Sequence, residues 1–280
     1  MVSSAIVQQP EIVYRHSVMV RITHWVNAFC LLVLLVSGLQ IFNAHPTLYF
    51  GEKSEPDRAV LSMRAVEQPD GSYSGITTIG STQFDTTGVL GLSRDASGEY
   101  EDRGFPSWIT LPSYRDLATG RRWHFFFAWL FVLNGLAYLI YAAWSGHVRR
   151  DLAPTSLQLR HIGQSVWEHV RFHFPKGDEA KSYNVLQKLA YLAVIFGLLP
   201  LIVLTGLTMS PAMNAAFPFM LDVFGGRQSA RTIHFLCATG ITLFVVVHLV
   251  MVVATGTWNN IRSMITGRYV IETEEASHGK

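Results

Sequence analysis

The sequence predicts an all-α, integral membrane four-helix bundle, one domain over residues 1–280, with a long and mostly irregular extracytoplasmic loop between its first two helices. Three observations predict it. Ionised residue types make up only 15% of the 280 residues and hydrophobic ones 49%, whereas a soluble domain carries about a quarter of its residues as charges. The deficit is concentrated in four apolar runs, each long enough for the roughly 20 helical residues that cross a hydrocarbon core. A polar stretch rich in Gly, Ser, Thr and Asp, residues 43–121, separates the first run from the second.

The spans are expected at about 18–42, 122–145, 185–209 and 231–258, around the apolar cores 21–42, 123–144, 185–209 and 233–258. Each is apolar around its whole circumference, with Gly, Ser and Thr scattered inside, and small residues let membrane helices or a flat cofactor approach closely. Residues 1–11 have no charged start before a short apolar core, so the first run reads as a retained helix rather than a signal peptide. The loop 43–121 is expected to hold at most short strands around 75–78. The second connection, 146–184, is basic (Arg149, Arg150, Arg160, Arg171, Lys176, Lys181, with Lys188 just beyond), and Leu159, Ile162, Val166 and Val170 recur in it at helical spacing. That spacing fits an amphipathic helix on a membrane surface or a packing helix. The third connection, 210–232, is short, and no internal repeat or low-complexity tract stands out.

Lys and Arg in short connections set orientation. The chain ends and the second connection hold twelve, counting Arg21 and Lys188 at span edges, against Arg227 and Arg231 in the third. Both termini and the basic connection are therefore expected in the cytoplasm of a bacterial inner membrane. A net charge of +2 gives no reason to expect nucleic acid as a partner. Cys30 and Cys237 both lie in apolar runs without a CxxC, which argues against a zinc knuckle, a redox dithiol and covalent haem attachment.

Eleven histidines occur, and four fall within apolar spans: His24, His124, His234 and His248. Ionisable groups at membrane depth are costly and mark function. His234 and His248 are 14 residues apart on one helix, which returns to within about 40° of the same face after about 21 Å. Chain direction then pairs them. His24 opens the first helix on the cytoplasmic side and meets His248; His124 opens the second on the outer side and meets His234. Two imidazoles in an apolar box suit b-type haem iron, and no carboxylate or thiol at membrane depth completes a zinc site. With both axial positions filled, electron transfer is favoured over oxygen chemistry. Gly38 and Gly135, 14 and 11 residues beyond His24 and His124, would leave room for the haem at the opposite depth or serve plain helix packing.

These residues carry a resemblance. RITHWVNAF (21–29), AHPTLYFG (44–51), FPSWITLPSYRDLATGRRWHFFFAW (105–129), YNVLQKLAY (183–191), GLTMSP (206–211) and ARTIHF (230–235) with His248 span 14–268. Together they resemble the bacterial di-haem cytochromes b, the cytochrome b561 group with the membrane subunits of thiosulfate reductase, nickel–iron hydrogenase and formate dehydrogenase. The resemblance implies a haem b near each membrane surface with the same pairing. It implies a quinone site (ubiquinone or menaquinone) beside the cytoplasmic haem, at Asn184 and His248. It also implies a separate periplasmic oxidoreductase subunit. The AHP–LYFG and LPSYRDLATGRRWHF pieces look most like proteins encoded with molybdopterin enzymes of the sulfite oxidase type. Membrane lipid and a second copy of the chain complete the expected partners.

Read on their own chemistry, Arg121 and Arg122 beside His124, and Arg15, His16 and Arg21 near His24, are candidate partners of haem propionates or anchors at the membrane interface. Lys188 is expected to reach the headgroups. The expected role is a quinone-linked electron-transfer subunit, with no substrate chemistry of its own. Alternatives are a stand-alone quinol-oxidising cytochrome serving superoxide or a small redox protein, a histidine-relay ion or proton transporter, and a non-catalytic anchor. The transporter reading requires acidic residues in the spans, and there are none.

Overall fold

The structure, a computed structural model, describes residues 11–171 and 184–271. Lys176, Lys181, Tyr183 and Lys280 lie outside the described residues. In chain order the helices are α1 (Val18–Phe42), α2 (Leu117–Trp144), α3 (Ser156–Arg160), α4 (Ile162–Val170), α5 (Val185–Thr208), α6 (Pro211–Ala216), α7 (Phe219–Val223), α8 (Arg227–Ala254) and α9 (Thr257–Thr266). Among the described residues, α1, α2, α5 and α8 are the helices long and apolar enough to cross a membrane. The amphipathic stretch expected around 159–170 divides at His161 into α3 and α4.

Local chemistry sets the helix ends. Asn184 caps α5: its Oδ1 accepts from the Leu186 amide at 2.9 Å, while Gln187 accepts from the Asn184 amide in return, a capping box. Pro200 lacks an amide proton, and the turn before it, Val194–Leu198, widens to a π-helix. At Gly256 (φ +105°) α8 stops, so Trp258, expected in the fourth span, belongs to α9.

Two compact units divide the chain, and each takes part of all four long helices. The terminal unit holds both ends of the described chain and residues 135–198 and 241–271 of the rest. There β1 (Glu11–Tyr14) pairs antiparallel with β8 (Arg268–Ile271), Glu11 opposite Ile271, so the two ends meet on one side. The Arg21 guanidinium donates to Ile265 O, and the Trp25 indole donates to Met264 O at 3.1 Å, which satisfies carbonyls at the end of α9.

The loop unit, residues 26–134 and 199–240, corrects the expectation of an all-α protein with a mostly irregular loop. Residues 43–121 contain β2 (Thr47–Leu48), β3 (Leu61–Glu67), β4 (Tyr73–Ile79) and β5 (Thr82–Asp85) in one antiparallel sheet, and β6 (Gly91–Arg94) and β7 (Tyr100–Arg103) in a hairpin. The strands are short, and what orders them is long-range. Phe42, Leu48 and Met63 form a core with Phe105 and Phe235 around it. The buried Arg103 guanidinium donates to Phe105 O, Ser113 O, Glu101, Thr110 and Gln40 on α1. Asn43 exchanges two hydrogen bonds with the Phe105 backbone. Gly75 is obligatory because a Cβ there would stand 2.4 Å from Leu90 O.

The AHPTLYFG segment seats α8. Gly51 O accepts from the Gln228 and Ser229 amides, two donors that a helix start otherwise leaves orphaned. Arg231 donates to Thr47 O and His45 O, and Thr232 to Tyr49 O. These bonds fix the helix one turn before His234.

Candidate functional site

The four membrane-depth histidines come together in the two pairs that chain direction predicted. In the loop unit, His124 and His234 have ring centroids 6.3 Å apart with planes inclined at 62°. In the terminal unit, His24 and His248 are also 6.3 Å apart, inclined at 57°. All four are half-buried. A metal ion gripped from both sides by imidazole nitrogens at about 2.0 Å puts the centroids about 6 Å apart, so both pairs have the spacing of bis-imidazole ligation. No cluster of three or more His, Cys, Asp or Glu side chains exists among the described residues. The pairs therefore suit a metal whose equatorial ligands come with a macrocycle better than a bare ion.

The surroundings of the pairs differ. Ser37 Oγ on α1 lies 3.1 Å from His124 Nδ1, and Thr205 Oγ1 on α5 lies 3.1 Å from His234 Nδ1. Ile202 O is a further 2.9 Å neighbour of His234 Nδ1, and His124 bonds to the backbone of Leu34. A Cβ on Gly38 would stand 3.3 Å from His124 Cε1, and one on Gly206 3.2 Å from His234 Cε1. Gly38 thus fits one imidazole closely, and Gly135 faces open space. In the terminal unit the neighbours are aromatic. Trp25 meets His24 edge-on at 5.3 Å, and Phe244 stacks on His248 at 5.9 Å and touches Tyr191.

Ser37, Thr205, Gly206 and Phe244 were not legible as site residues. The signal that finds three of them is a repeat: LLVSGL at 34–39 and IVLTGL at 202–207. Arg-x-x-His-Phe likewise recurs at 121–125 and 231–235. The expectation of no internal repeat is corrected accordingly.

The other predicted residues are placed as follows. Arg21 donates to Ile265 O at the end of α9 through one guanidinium nitrogen, and its buried Nε has no hydrogen-bond partner among the described residues. Arg121 is half-buried with its guanidinium 5.5 Å from the Phe125 ring, and Arg122 is exposed. Asn184 serves as the α5 cap. Lys188 does not reach outward: it is buried, and its Nζ donates to Ala153 O at 3.2 Å and Gln158 Oε1 at 3.3 Å. Outside the spans, burial and then the Arg15 cation hold the His16 imidazole down to about 4. Burial, with the Arg231 cation, also lowers His45.

The family model for prokaryotic cytochrome b561 matches residues 15–267. A protein of Azospira oryzae named as a putative protein-methionine-sulfoxide reductase subunit, YedZ1, is 26% identical over 242 residues, which cover 86% of this chain and 91% of that protein. No solved structure matches the chain.

Proposed function

The chain belongs to the prokaryotic cytochrome b561 family, haem-binding membrane proteins of electron transfer, and from that footing we propose that it is a di-haem subunit carrying electrons between the quinone pool and a partner oxidoreductase. His24 and His248 would hold one haem b, His124 and His234 the other. The observation that carries this is the equal 6.3 Å separation of both imidazole pairs. Haem supplies one-electron carriage when bound. The chain would supply the rest: two imidazoles to hold each haem, and apolar helices around them.

Loop charge supports an orientation with both termini in the cytoplasm of a bacterial inner membrane, so that the terminal unit serves the quinone side. Asn184, whose Oδ1 is occupied by capping, would offer its Nδ2 to a quinone oxygen, with His248 as the haem ligand nearest the site. Arg121 and Arg122 remain the candidates for propionates on the outer side. On that side the ordered strands of 43–121 offer a docking face for a periplasmic oxidoreductase subunit of molybdopterin type. Because the Azospira relative is named as a reductase subunit, the direction favoured is from quinol to partner.

Expression with ample haem tests the reading. A sharp reduced α-band and two haems per chain are expected; His24→Ala and His248→Ala should remove the same haem, His124→Ala and His234→Ala the other. A colourless protein overturns the reading, and loss of one haem by His24→Ala and His124→Ala alike overturns the pairing.

A further inference from the structure

The loop-unit pair is braced by a duplicated device that is not found at the terminal-unit pair among the described residues. Ser37 donates its proton to Val33 O at 2.6 Å, and Thr205 donates to Leu201 O at 2.8 Å. A hydroxyl has a single proton, so each oxygen turns its lone pairs toward the imidazole and accepts. Ile202 O can only accept, so His234 Nδ1 carries the ring proton. His124 meets the same arrangement, with Leu34 three residues before Ser37 as Ile202 is before Thr205. Both Nε2 atoms are thereby left unprotonated, with a lone pair for a metal. The glycines after the hydroxyl residues let the rings come this close: a Cβ at either would meet Cε1 at 3.3 or 3.2 Å.

Among the described residues, His24 of the terminal-unit pair has no such support. His24 Nδ1 is buried with no hydrogen-bond partner among the described residues. The repeat does not extend there either. Fourteen residues before Gly206, where His24 stands relative to Gly38, is Leu192, and fourteen after His124, where His248 stands relative to His234, is Tyr138.

We propose that Ser37–Gly38 and Thr205–Gly206 are positioning residues for the His124/His234 haem, and that their hydrogen bonds make it the lower-potential haem of the two. A hydrogen bond from Nδ1–H raises the basicity of Nε2, and a more basic axial ligand favours the oxidised metal. The proposal rests on the di-haem reading above.

Redox titration of the purified holoprotein tests it, with Ser37→Ala, Thr205→Val (which keeps the shape and removes the hydroxyl) and Thr205→Ser, each also in the His24→Ala background that retains only the braced haem. The expected result is two midpoints in the native protein. The lower one should rise in Ser37→Ala and Thr205→Val, and Thr205→Ser should return it to the native value while the upper one stays fixed. Should Thr205→Val lose the braced haem outright while Thr205→Ser keeps it, the positioning role is supported by retention instead. An unmoved lower midpoint with both haems bound, equal shifts of both midpoints, or a braced haem with the higher midpoint overturns the proposal and leaves the di-haem reading standing. A native protein without haem overturns that reading first.

Discussion

Adding one methyl group at Gly206 tests the closeness of the imidazole support. Its Cβ would stand 3.2 Å from His234 Cε1 and 3.6 Å from Nδ1. Carbon atoms settle at about 3.5–4.0 Å, so the ring has to retreat by roughly half an ångström. It is not free to do so, because Nδ1 is bonded to Ile202 O and Thr205 on the helix that carries Gly206. The shift is taken either from those bonds or from the 6.3 Å gap to His124. Loss of the support behind a metal-ligating histidine typically weakens metal binding roughly ten- to hundredfold. Gly206→Ala is expected to accelerate haem release into that range, measured as transfer to excess apomyoglobin by absorbance. Gly197→Ala is the matched control: that glycine lies on the same span, exposed, and a methyl group added there would meet nothing within 4 Å. Alanine also favours helix by up to about 1 kcal/mol over glycine, so propensity opposes the predicted loss in Gly206→Ala. Native release rates in Gly206→Ala, or equal acceleration in Gly197→Ala, would refute the reasoning.

Two further outcomes follow from the same contacts. Arg103→Met leaves Gln40, Thr110 and two backbone carbonyls without their buried donor, and breaking such a network costs on the order of 3 kcal/mol; limited proteolysis within 43–121 should accelerate while the haem spectrum is retained, and a native cleavage rate would count against Arg103 as the tie. His16 is held at about 4 in the folded protein against 6.5 as its ordinary value, so the native state binds fewer protons between those limits; its contribution is complete above 6.5 and is lost as pH falls toward about 4, by up to about 1.4 kcal/mol per pH unit. Thermal melts at pH 7 and pH 5 should differ less in His16→Gln than in the native protein, and an unchanged difference would exclude His16 as the cause.

The helical part of the site was legible because it is local. A spacing of 14 residues between His234 and His248 needs only helix geometry to put both on one face, and chain direction then supplies the partners. Of the strands in 43–121 the one around 75–78 was legible and falls within β4, but the others were not, since runs as short as Thr82–Asp85 carry little pattern of their own. Their order comes from Arg103 reaching Gln40 and Asn43 reaching Phe105 across 63 and 62 residues of chain. Residue type alone also misassigned one polar side chain. Lys188 has the length to reach headgroups, yet Ala153 O and Gln158 take it inward. Which acceptor a cation finds is a property of packing.

The order of the haem potentials bears on the direction of flow. In the proposed orientation, quinol delivers an electron at the His24/His248 pair, and the partner draws it from the His124/His234 pair. Bracing that makes the second haem lower in potential renders the step between them unfavourable on its own. An electron leaving the cytoplasmic side of an inside-negative membrane, however, gains about 2.3 kcal/mol per 100 mV over a full crossing. An energised membrane therefore offsets the step, and a partner that drains the outer haem completes it. Without either, the electron would rest on the proposed quinone-side haem, where His24 has an aromatic contact with Trp25 and, among the described residues, no hydrogen bond at Nδ1. On the proposed di-haem reading, the asymmetric support of the two pairs would act as a bias toward retaining electrons until the field or the partner draws them outward.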